Sequence, residues 1–326
     1  MREIKKVGVL TSGGDAPGMN AALRAVVRAA IYNGLKPYAI FEGYQGLIDN
    51  NIKLMKSHDV SNIIQRGGTI LKSARCQEFR TVEGRAKAAK TLKDRGIDAL
   101  IVIGGDGTFT GASLFTQECD IPVIGIPGTI DNDLYGTDCT IGYDTAINTV
   151  VEAVDKIRDT ASAHNRLFFI EVMGRDAGFI ALRSAIACGA EAVLIPEIKT
   201  HVQDLEEYIS NGYKAHKSSG IVIVAEGDKN GGAYLIAEQI NKDRPDFDIR
   251  VTVLGHIQRG GSPSAFDRVL ASRLGVAAVD ALLEDQKSVM VGLVNSVVVH
   301  VPFNRAIKNS KHVNESLIAL NKILSI

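Results

Sequence analysis

Tryptophan is absent from this 326-residue chain and aromatic residues make up only 6% of it. A protein that merely held a sugar would typically need aromatic platforms for it, so a passive sugar-binding role fits poorly. Cysteine is scarce: Cys76, Cys119, Cys139 and Cys188 are widely spaced with no CxxC pair, which argues against a disulfide framework and against structural zinc. Charge of one sign is missing too. Lys+Arg and Asp+Glu both number 37, leaving no global field to attract nucleic acid or an anionic membrane. No apolar run approaches the roughly 18 residues of a membrane span, and the opening MREIKKVGVL has neither the apolar stretch nor the cleavage site of a signal peptide. The expectation is a cytoplasmic, reduced protein.

What is present is a regular alternation. Apolar, strand-like runs occur at 4–10, 37–41, 98–103, 122–126, 166–172, 192–196, 220–225 and 249–254, with a late pair at 289–294 and 297–301. Helix-period segments lie between them at 20–33, 107–117, 141–160, 177–188, 203–217, 232–242, 264–285 and 311–323. Alternation of this kind predicts parallel βαβ units, and strands of nearly uninterrupted Val, Ile, Leu and Ala predict sheets covered on both faces. The length suffices for two cores. A boundary near 138–142 is expected, with the chain returning to the first lobe near 250.

Three loops carry chemistry. Thr11-Ser12-Gly13-Gly14-Asp15-Ala16-Pro17-Gly18 follows the first strand and opens a helix with Asn20 as its cap. Its glycines let backbone N–H groups approach phosphate oxygens; a tight turn with no ligand is the alternative. It matches neither GxGxxG nor GxxxxGK[ST], which argues against a dinucleotide site and a Walker A loop. Gly104-Gly105-Asp106-Gly107-Thr108 offers a carboxylate among glycines, suited to Mg²⁺ bridging phosphate oxygens; the alternative is Asp106 as a helix N-cap. Pro127-Gly128-Thr129-Ile130-Asp131-Asn132-Asp133 presents two carboxylates that would point the same way in an extended loop. One is suited to take a proton from a substrate hydroxyl and the other to orient it; an Asx-turn is the alternative. In a parallel sheet such loops open at one carboxyl edge. Arg75, Arg166, Arg175, Arg250 and Arg259 lie in loops or at strand ends, and their forked donors would suit a phosphorylated substrate if they converge. His256 stands beside them. No Ser-His-Asp arrangement or His/Cys/Glu cluster stands out, and the Ser12 loop is not a GxSxG elbow. The combination indicates phosphoryl transfer.

At these residues the chain closely resembles the bacterial-type ATP-dependent 6-phosphofructokinase family. TSGGDAPGMNAA, GGTIL-SAR, IVIGGDGT, PGTIDND, EVMGR, AEG and VTVLGHIQRGGSP stand in the family's order over essentially the whole chain. The resemblance implies an α/β protein of two Rossmann-like lobes with mostly parallel sheets flanked by helices, the larger from 1–138 plus 251–301 and the smaller from 139–250 plus 302–326. It implies transfer of the γ-phosphoryl of ATP, with Mg²⁺, to O1 of fructose 6-phosphate. Gly13, Arg75, Cys76, Gly104, Asp106, Gly107, Thr108 and Gly111 match nucleotide-site positions, Asp106 also lying near Mg²⁺. Asp131 matches the proton-accepting base, with Thr129, Asp133, Arg75 and Arg175 in the catalytic set. Met173, Gly174, Arg175, Glu226, His256 and Arg259 match the sugar-phosphate site, and Arg166 and Arg250 match arginines that the family supplies from a neighbouring subunit. A homotetramer with shared sites follows from that.

Relatives that use pyrophosphate carry Asp at the position of Gly107 and Lys at that of Gly128, so ATP is the expected donor. Arg24, Arg28, Arg158, Gly189, Glu191 and Lys217 match positions that bind ADP or phosphoenolpyruvate. Ala215, Ser219 and Asn62 replace the basic residue, His and Asp of well-regulated members, so shallow regulation is expected. Phe179 stands where relatives commonly have Asp, and nothing in the sequence explains it. The NAD and lipid kinases share a GGDGT loop but are not expected to carry PGTIDND or HIQRGG.

Overall fold

The structure, a computed structural model, describes residues 4–162, 166–199, 220–245 and 247–325. The helix expected at 203–217, with Ala215, Lys217 and Ser219, falls outside the described residues. The chain divides into two units, Met1–Thr129 with Leu134–Thr145 and Arg259–Lys311, and Ile130–Asp133 with Ala146–Gln258 and His312–Ile326. These junctions differ from the sequence boundaries at 138, 250 and 301, and residues 302–311 group with the first unit.

The first unit is built on a seven-stranded sheet. Its strands are β1 (Lys6–Thr11), β2 (Lys36–Ile40), β3 (Ile52–Leu54), β4 (Ala99–Gly104), β5 (Val123–Pro127), β10 (Val289–Val294) and β11 (Val297–Pro302), in the order β11-β10-β5-β4-β1-β2-β3. The five strands β10, β5, β4, β1 and β2 run parallel, and β11 and β3 close the two sides antiparallel. Every residue of β4 and of β5 is buried, as expected for strands covered on both faces. The helices are α1 (Met19–Tyr32), α2 (Gly43–Ile48), α3 (Val82–Arg95), α4 (Asp106–Cys119), α8 (Ala265–Leu283) and α9 (Phe303–Lys308). Leu10, Leu100, Val102, Phe109, Phe115 and Phe303 belong to one core cluster, with the Phe109 and Phe303 rings 5.3 Å apart.

The second unit has a four-stranded sheet, β6 (Leu167–Val172), β7 (Ala192–Leu194), β8 (Gly220–Ala225) and β9 (Ile249–Val253), all parallel in the order β7-β8-β6-β9. Its other helices are α6 (Phe179–Cys188), α7 (Gly232–Asp243) and α10 (Glu315–Leu324). Helix α5 (Tyr143–Ser162) starts in the first unit and continues in the second. Phe169, Val222, Val224, Ile236 and Ile240 form the core. Both units are α/β with mostly parallel sheets, and no described helix is long and apolar enough to cross a membrane.

Helix α3 was not legible in the sequence. VEGRAKAAKTLKDR buries only Gly84, Arg85, Ala88 and Leu92, too thin an apolar stripe to show a helical period. It is fixed at its ends instead: the Thr81 side chain accepts from Gly84 N at 3.0 Å, and Gly96 closes it in the left-handed conformation.

Candidate active site

The strand register brings three loops of the first unit out level. Thr11 pairs with Ile103, Ile103 with Ile126 and Gly104 with Pro127, so β1, β4 and β5 end side by side. Hydrogen bonds continue the ladder into the loops: Ser12 N donates to Ile103 O at 3.0 Å and Gly128 N to Gly104 O at 2.9 Å. Thr108 Oγ1 donates to Ser12 O at 3.1 Å, tying the first two loops together. Gly104 is required by this closeness, since a Cβ there would sit against Thr108 Oγ1 and 2.5 Å from Ser12 O. Gly13, at φ +84, occupies backbone space that suits glycine.

Asp106 and Gly107 are exposed at the head of α4, and Thr108 behind them is buried. The N-cap is Gly105 in extended conformation, with Asp106 the first helical residue, so the N-cap alternative for Asp106 does not hold. A Cβ at Gly107 would meet nothing within 4 Å. Gly111 differs: a Cβ there would come 3.2 Å from the Phe79 ring and 3.3 Å from the Tyr44 ring. Those rings stack at 3.9 Å, and Tyr44 Oη donates to Thr108 O at 2.7 Å. Burial raises the Tyr44 pKa, which keeps that hydroxyl a donor. Gly111 therefore makes room for the support beneath the loop.

Residues 65–76 are bound to the same edge. Thr11 Oγ1 donates to Lys72 O at 2.8 Å and lies 2.9 Å from Thr69 Oγ1. Asn20, expected as a cap, serves elsewhere: α1 begins at Met19 after Gly18 in the left-handed region. The Asn20 amide donates to Arg66 O and Gly67 O at 3.1 Å, and its oxygen accepts from Ile70 N at 2.8 Å. Arg75 is exposed and Cys76 half-buried; burial raises the Cys76 thiol pKa. The buried Arg85 donates to Phe79 O at 3.0 Å and Arg80 O at 2.8 Å while its other side pairs with Glu118 at 2.6 Å, holding the turn that follows Cys76. Arg259 lies over the Gly13-Gly14-Asp15 loop: its Nη1 donates to Asp15 O at 3.2 Å, and a Cβ at Gly14 would strike the guanidinium.

From β5 the chain passes through Thr129 into Ile130–Asp133. Thr129 is buried, and its carbonyl accepts from Thr140 Oγ1 at 2.6 Å. Asp131 is 3% exposed and Asp133 half-buried. Asn132 has φ +54, so the loop is not extended at its centre and the side-by-side alternation expected of the two carboxylates is interrupted there. Asparagine tolerates that conformation better than most residues.

In the second unit β6, β8 and β9 also end level, with Val172 paired to Ala225 and Glu171 to Val253. Met173-Gly174-Arg175 turns sharply, with φ +147 at Gly174 and +55 at Arg175. Glu226 shapes that turn, accepting from Gly174 N at 3.2 Å and Arg175 N at 2.7 Å. Gln258, fully buried and overlooked in the sequence, accepts from Met173 N at 3.2 Å and donates to Gly255 O at 3.0 Å. The side chains of Arg175 and His256 are exposed.

Arg166 and Arg250 do not join this edge. Arg166 immediately precedes β6 and Arg250 is the second residue of β9, so both sit at the amino edge. A six-residue strand separates them from Met173–Arg175, about 20 Å at the usual rise. Arg166 and Arg250 thus lie at the opposite edge of this sheet from Arg175. Both instead pair with one carboxylate, Asp248, at 2.8 Å each.

Among the candidate effector residues, burial and then the neighbouring Arg28 lower the Arg24 pKa. In the second unit Arg158 donates to Cys188 O at 2.6 Å and Gly189 O at 3.2 Å, and Glu191 accepts from Ile221 N at 2.6 Å. Asn62 is exposed with φ +56. Phe179 is buried as the first residue of α6, and nothing in the structure explains its replacement of Asp.

No group of three or more His, Cys, Asp or Glu able to cage a metal occurs among the described residues. Asp106, exposed between two glycines, suits instead a cation that arrives on a phosphate chain and keeps part of its water.

Comparison with known proteins adds four likenesses. A family model described as Phosphofructokinase matches residues 6–282. An ATP-dependent 6-phosphofructokinase 2 of Bacteroides thetaiotaomicron is 62% identical over 326 residues, covering 100% of both chains. The solved phosphofructokinase of Saccharomyces cerevisiae superposes with a TM-score of 0.88 at 37% identity, over 98% of this chain and 47% of that one. A pyrophosphate-dependent phosphofructokinase structure from Marinobacter aquaeolei, at 22% identity and TM-score 0.85 over 96% of this chain and 86% of that one, shares the fold.

Proposed function

The chain belongs to the phosphofructokinase family, and from that premise we propose that it is an ATP-dependent 6-phosphofructokinase. It transfers the γ-phosphoryl of ATP to O1 of fructose 6-phosphate, the committed step of glycolysis in the cytoplasm. The observation that carries this reading is the first unit's carboxyl edge, where exposed Gly13, Asp106 and Gly107 border the ends of β1 and β4. Backbone N–H groups there suit a phosphate chain, and the open side-chain direction at Gly107 supports a full nucleotide over pyrophosphate.

Asp131 accepts the proton of the O1 hydroxyl as that oxygen attacks the γ-phosphorus in line, and the ADP oxygen leaves. Thr129 and Asp133 flank it in sequence, and Arg75 and Arg175 offset charge on the transferring group. Asp106 would hold the Mg²⁺ that accompanies ATP, and that ion would supply positive charge to offset the charge of the phosphate chain. Met173, Gly174, Arg175, Glu226, His256 and Arg259 bind fructose 6-phosphate. Glu226 contributes by shaping the Gly174–Arg175 turn.

Arg166 and Arg250 act in the site of a neighbouring copy within a homotetramer. Their separation from Arg175 by the length of β6 supports this, because one chain cannot aim both ends of a strand at one sugar phosphate. Arg24, Arg28, Arg158, Gly189, Glu191 and Lys217 contribute to weak binding of ADP or phosphoenolpyruvate between copies of the chain, and a strongly sigmoidal response to phosphoenolpyruvate would contradict that.

A coupled assay with Mg²⁺, ATP and fructose 6-phosphate tests the proposal. Turnover with ATP and none with pyrophosphate is expected. Binding of the sugar phosphate without turnover, or turnover only with NAD or a lipid, would refute it.

A further inference from the structure

The amino edge of the second unit's sheet holds a cluster that the sequence reading did not include. Leu167 pairs with Ile249 and Phe168 with Arg250 in the parallel ladder, and Leu167 N donates to Asp248 O at 3.1 Å. This register brings Arg166 beside Asp248, while Asp248 and Arg250, two residues apart, share one face. Arg166 Nε donates to Asp248 Oδ2 at 2.8 Å, and Arg250 Nη2 lies 2.8 Å from Asp248 Oδ1. Arg250 Nη1 is also used, donating to Ile249 O at 3.2 Å.

We propose that Asp248 is a positioning residue for the sugar phosphate, its carboxylate holding Arg166 and Arg250 side by side as one preformed anion-binding fork. The inference rests on the reading above that these two arginines bind fructose 6-phosphate in a neighbouring copy. Two guanidiniums close together repel each other and carry long, mobile side chains. A carboxylate between them offsets the repulsion and fixes both planes before the ligand arrives. The bonding leaves capacity for the ligand. Arg166 meets Asp248 through Nε, so its two terminal nitrogens remain available to donate to a phosphate's oxygens. Two guanidiniums and one carboxylate also keep a net positive charge to attract a dianion.

The test is steady-state kinetics on the full-length protein. Asp248→Asn keeps the shape but removes the charge and presents an amide donor to guanidinium donors. The half-saturating fructose 6-phosphate concentration is expected to rise about tenfold, with kcat and the KM for ATP within about twofold of wild type. Asp248→Glu, which keeps the charge, is expected to recover part of that loss. In an Arg166→Ala background Asp248→Asn should add much less than it does alone, because the group it positions is gone.

An unchanged or lowered half-saturation in Asp248→Asn overturns the proposal, the lowered value meaning that the carboxylate competes with the ligand. Full additivity with Arg166→Ala also overturns it. If Asp248→Asn does not fold, Asp248→Ser is read in the same way, and failure of both to fold assigns Asp248 a structural role and overturns the proposal. Arg166→Ala and Arg250→Ala separate the two levels of the argument. If both leave half-saturation unmoved, the reading of the arginines fails; if both raise it while Asp248→Asn does not, only the positioning role fails.

Discussion

The two units end their parallel strands in different materials. In the first, β1, β4 and β5 run into Gly13-Gly14, Gly104-Gly105 and Gly128, and the loops are held together by backbone groups and the Thr11 and Thr108 hydroxyls. In the second, β6, β8 and β9 run into Arg175, Glu226 and His256, and the turns are held by the Glu226 and Gln258 side chains. A backbone edge suits a phosphate chain, which brings its own metal and needs close approach. A side-chain edge suits a sugar phosphate, whose shape must be distinguished from that of other anions. On the proposed function, the same α/β architecture would serve two ligands by exchanging glycine for charged side chains at strand ends.

Asp131 is the largest test of this division, because it belongs to neither grip. Asp131→Asn should lower kcat by roughly 10²–10⁴-fold, the usual contribution of a general base, with little change in half-saturation by fructose 6-phosphate. Near-normal turnover would remove the proton-accepting role. The variant retains the size of the side chain, so a folded protein is expected.

The first unit also uses a charged group, but for architecture. Asp267 is fully buried and accepts from Gly142 N at 2.9 Å, Thr145 N at 2.8 Å and Thr145 Oγ1 at 2.5 Å, joining the starts of α5 and α8. Burial raises its pKa from 3.8 to about 6. The folded state therefore binds the proton more tightly than the unfolded state does, and this group's contribution to stability falls as pH rises from about 4 to about 6. The size is about 3 kcal/mol. Urea unfolding of the wild type and of Asp267→Asn across that range should show the wild type losing ground to the variant as pH rises. A flat or rising difference would contradict the buried-carboxylate account.

Two glycines three residues apart sharpen the comparison further. Gly104→Ala drives a Cβ into Thr108 Oγ1 and Ser12 O, and should cost about 1–3 kcal/mol of stability through overpacking. Gly107→Asp meets open space, so its thermal midpoint should stay near that of wild type. Its half-saturating ATP concentration should nevertheless rise at least about tenfold, through repulsion of the phosphates. Equal effects of both substitutions on stability would mean that the edge is not divided between packing and ligand space as described.

Much of this was readable from the sequence because strand ends and glycine loops are local. The runs that became β4, β5 and β8 are apolar throughout, and the loops after them carry the motifs directly. What escaped depends on tertiary context. Helix α3 hides its buried face among Lys and Arg, and Asn20 resembles a cap until its bonds to residues 66–70 are known. The alternation of Asp131 and Asp133 assumed an extended backbone, which the φ of +54 at Asn132 rules out. Asp248 is visible only once the β6–β9 register sets it between Arg166 and Arg250. The strands read at 166–172 and 249–254 already put Arg166 and Arg250 at strand starts and Arg175 beyond a strand end; what the sequence could not give is the pairing of β6 with β9 that joins the first two through Asp248.

The division between opposite edges is the centre of the proposed function: in a homotetramer, one chain's sheet would offer its carboxyl edge to one site and its amino edge to another. Mixing two defective proteins tests it most directly. Asp131→Asn lacks the base but keeps both arginines, while Arg166→Ala keeps the base and lacks one of them. After dissociation and reassembly together, some sites would combine an intact base with an intact Arg166. Assayed at a fructose 6-phosphate concentration too low for Arg166→Ala alone, with Asp131→Asn turning over poorly at any concentration, the mixture should regain activity beyond the sum of the two. No activity beyond that sum, in assemblies verified to contain both chains, would contradict a site shared between copies.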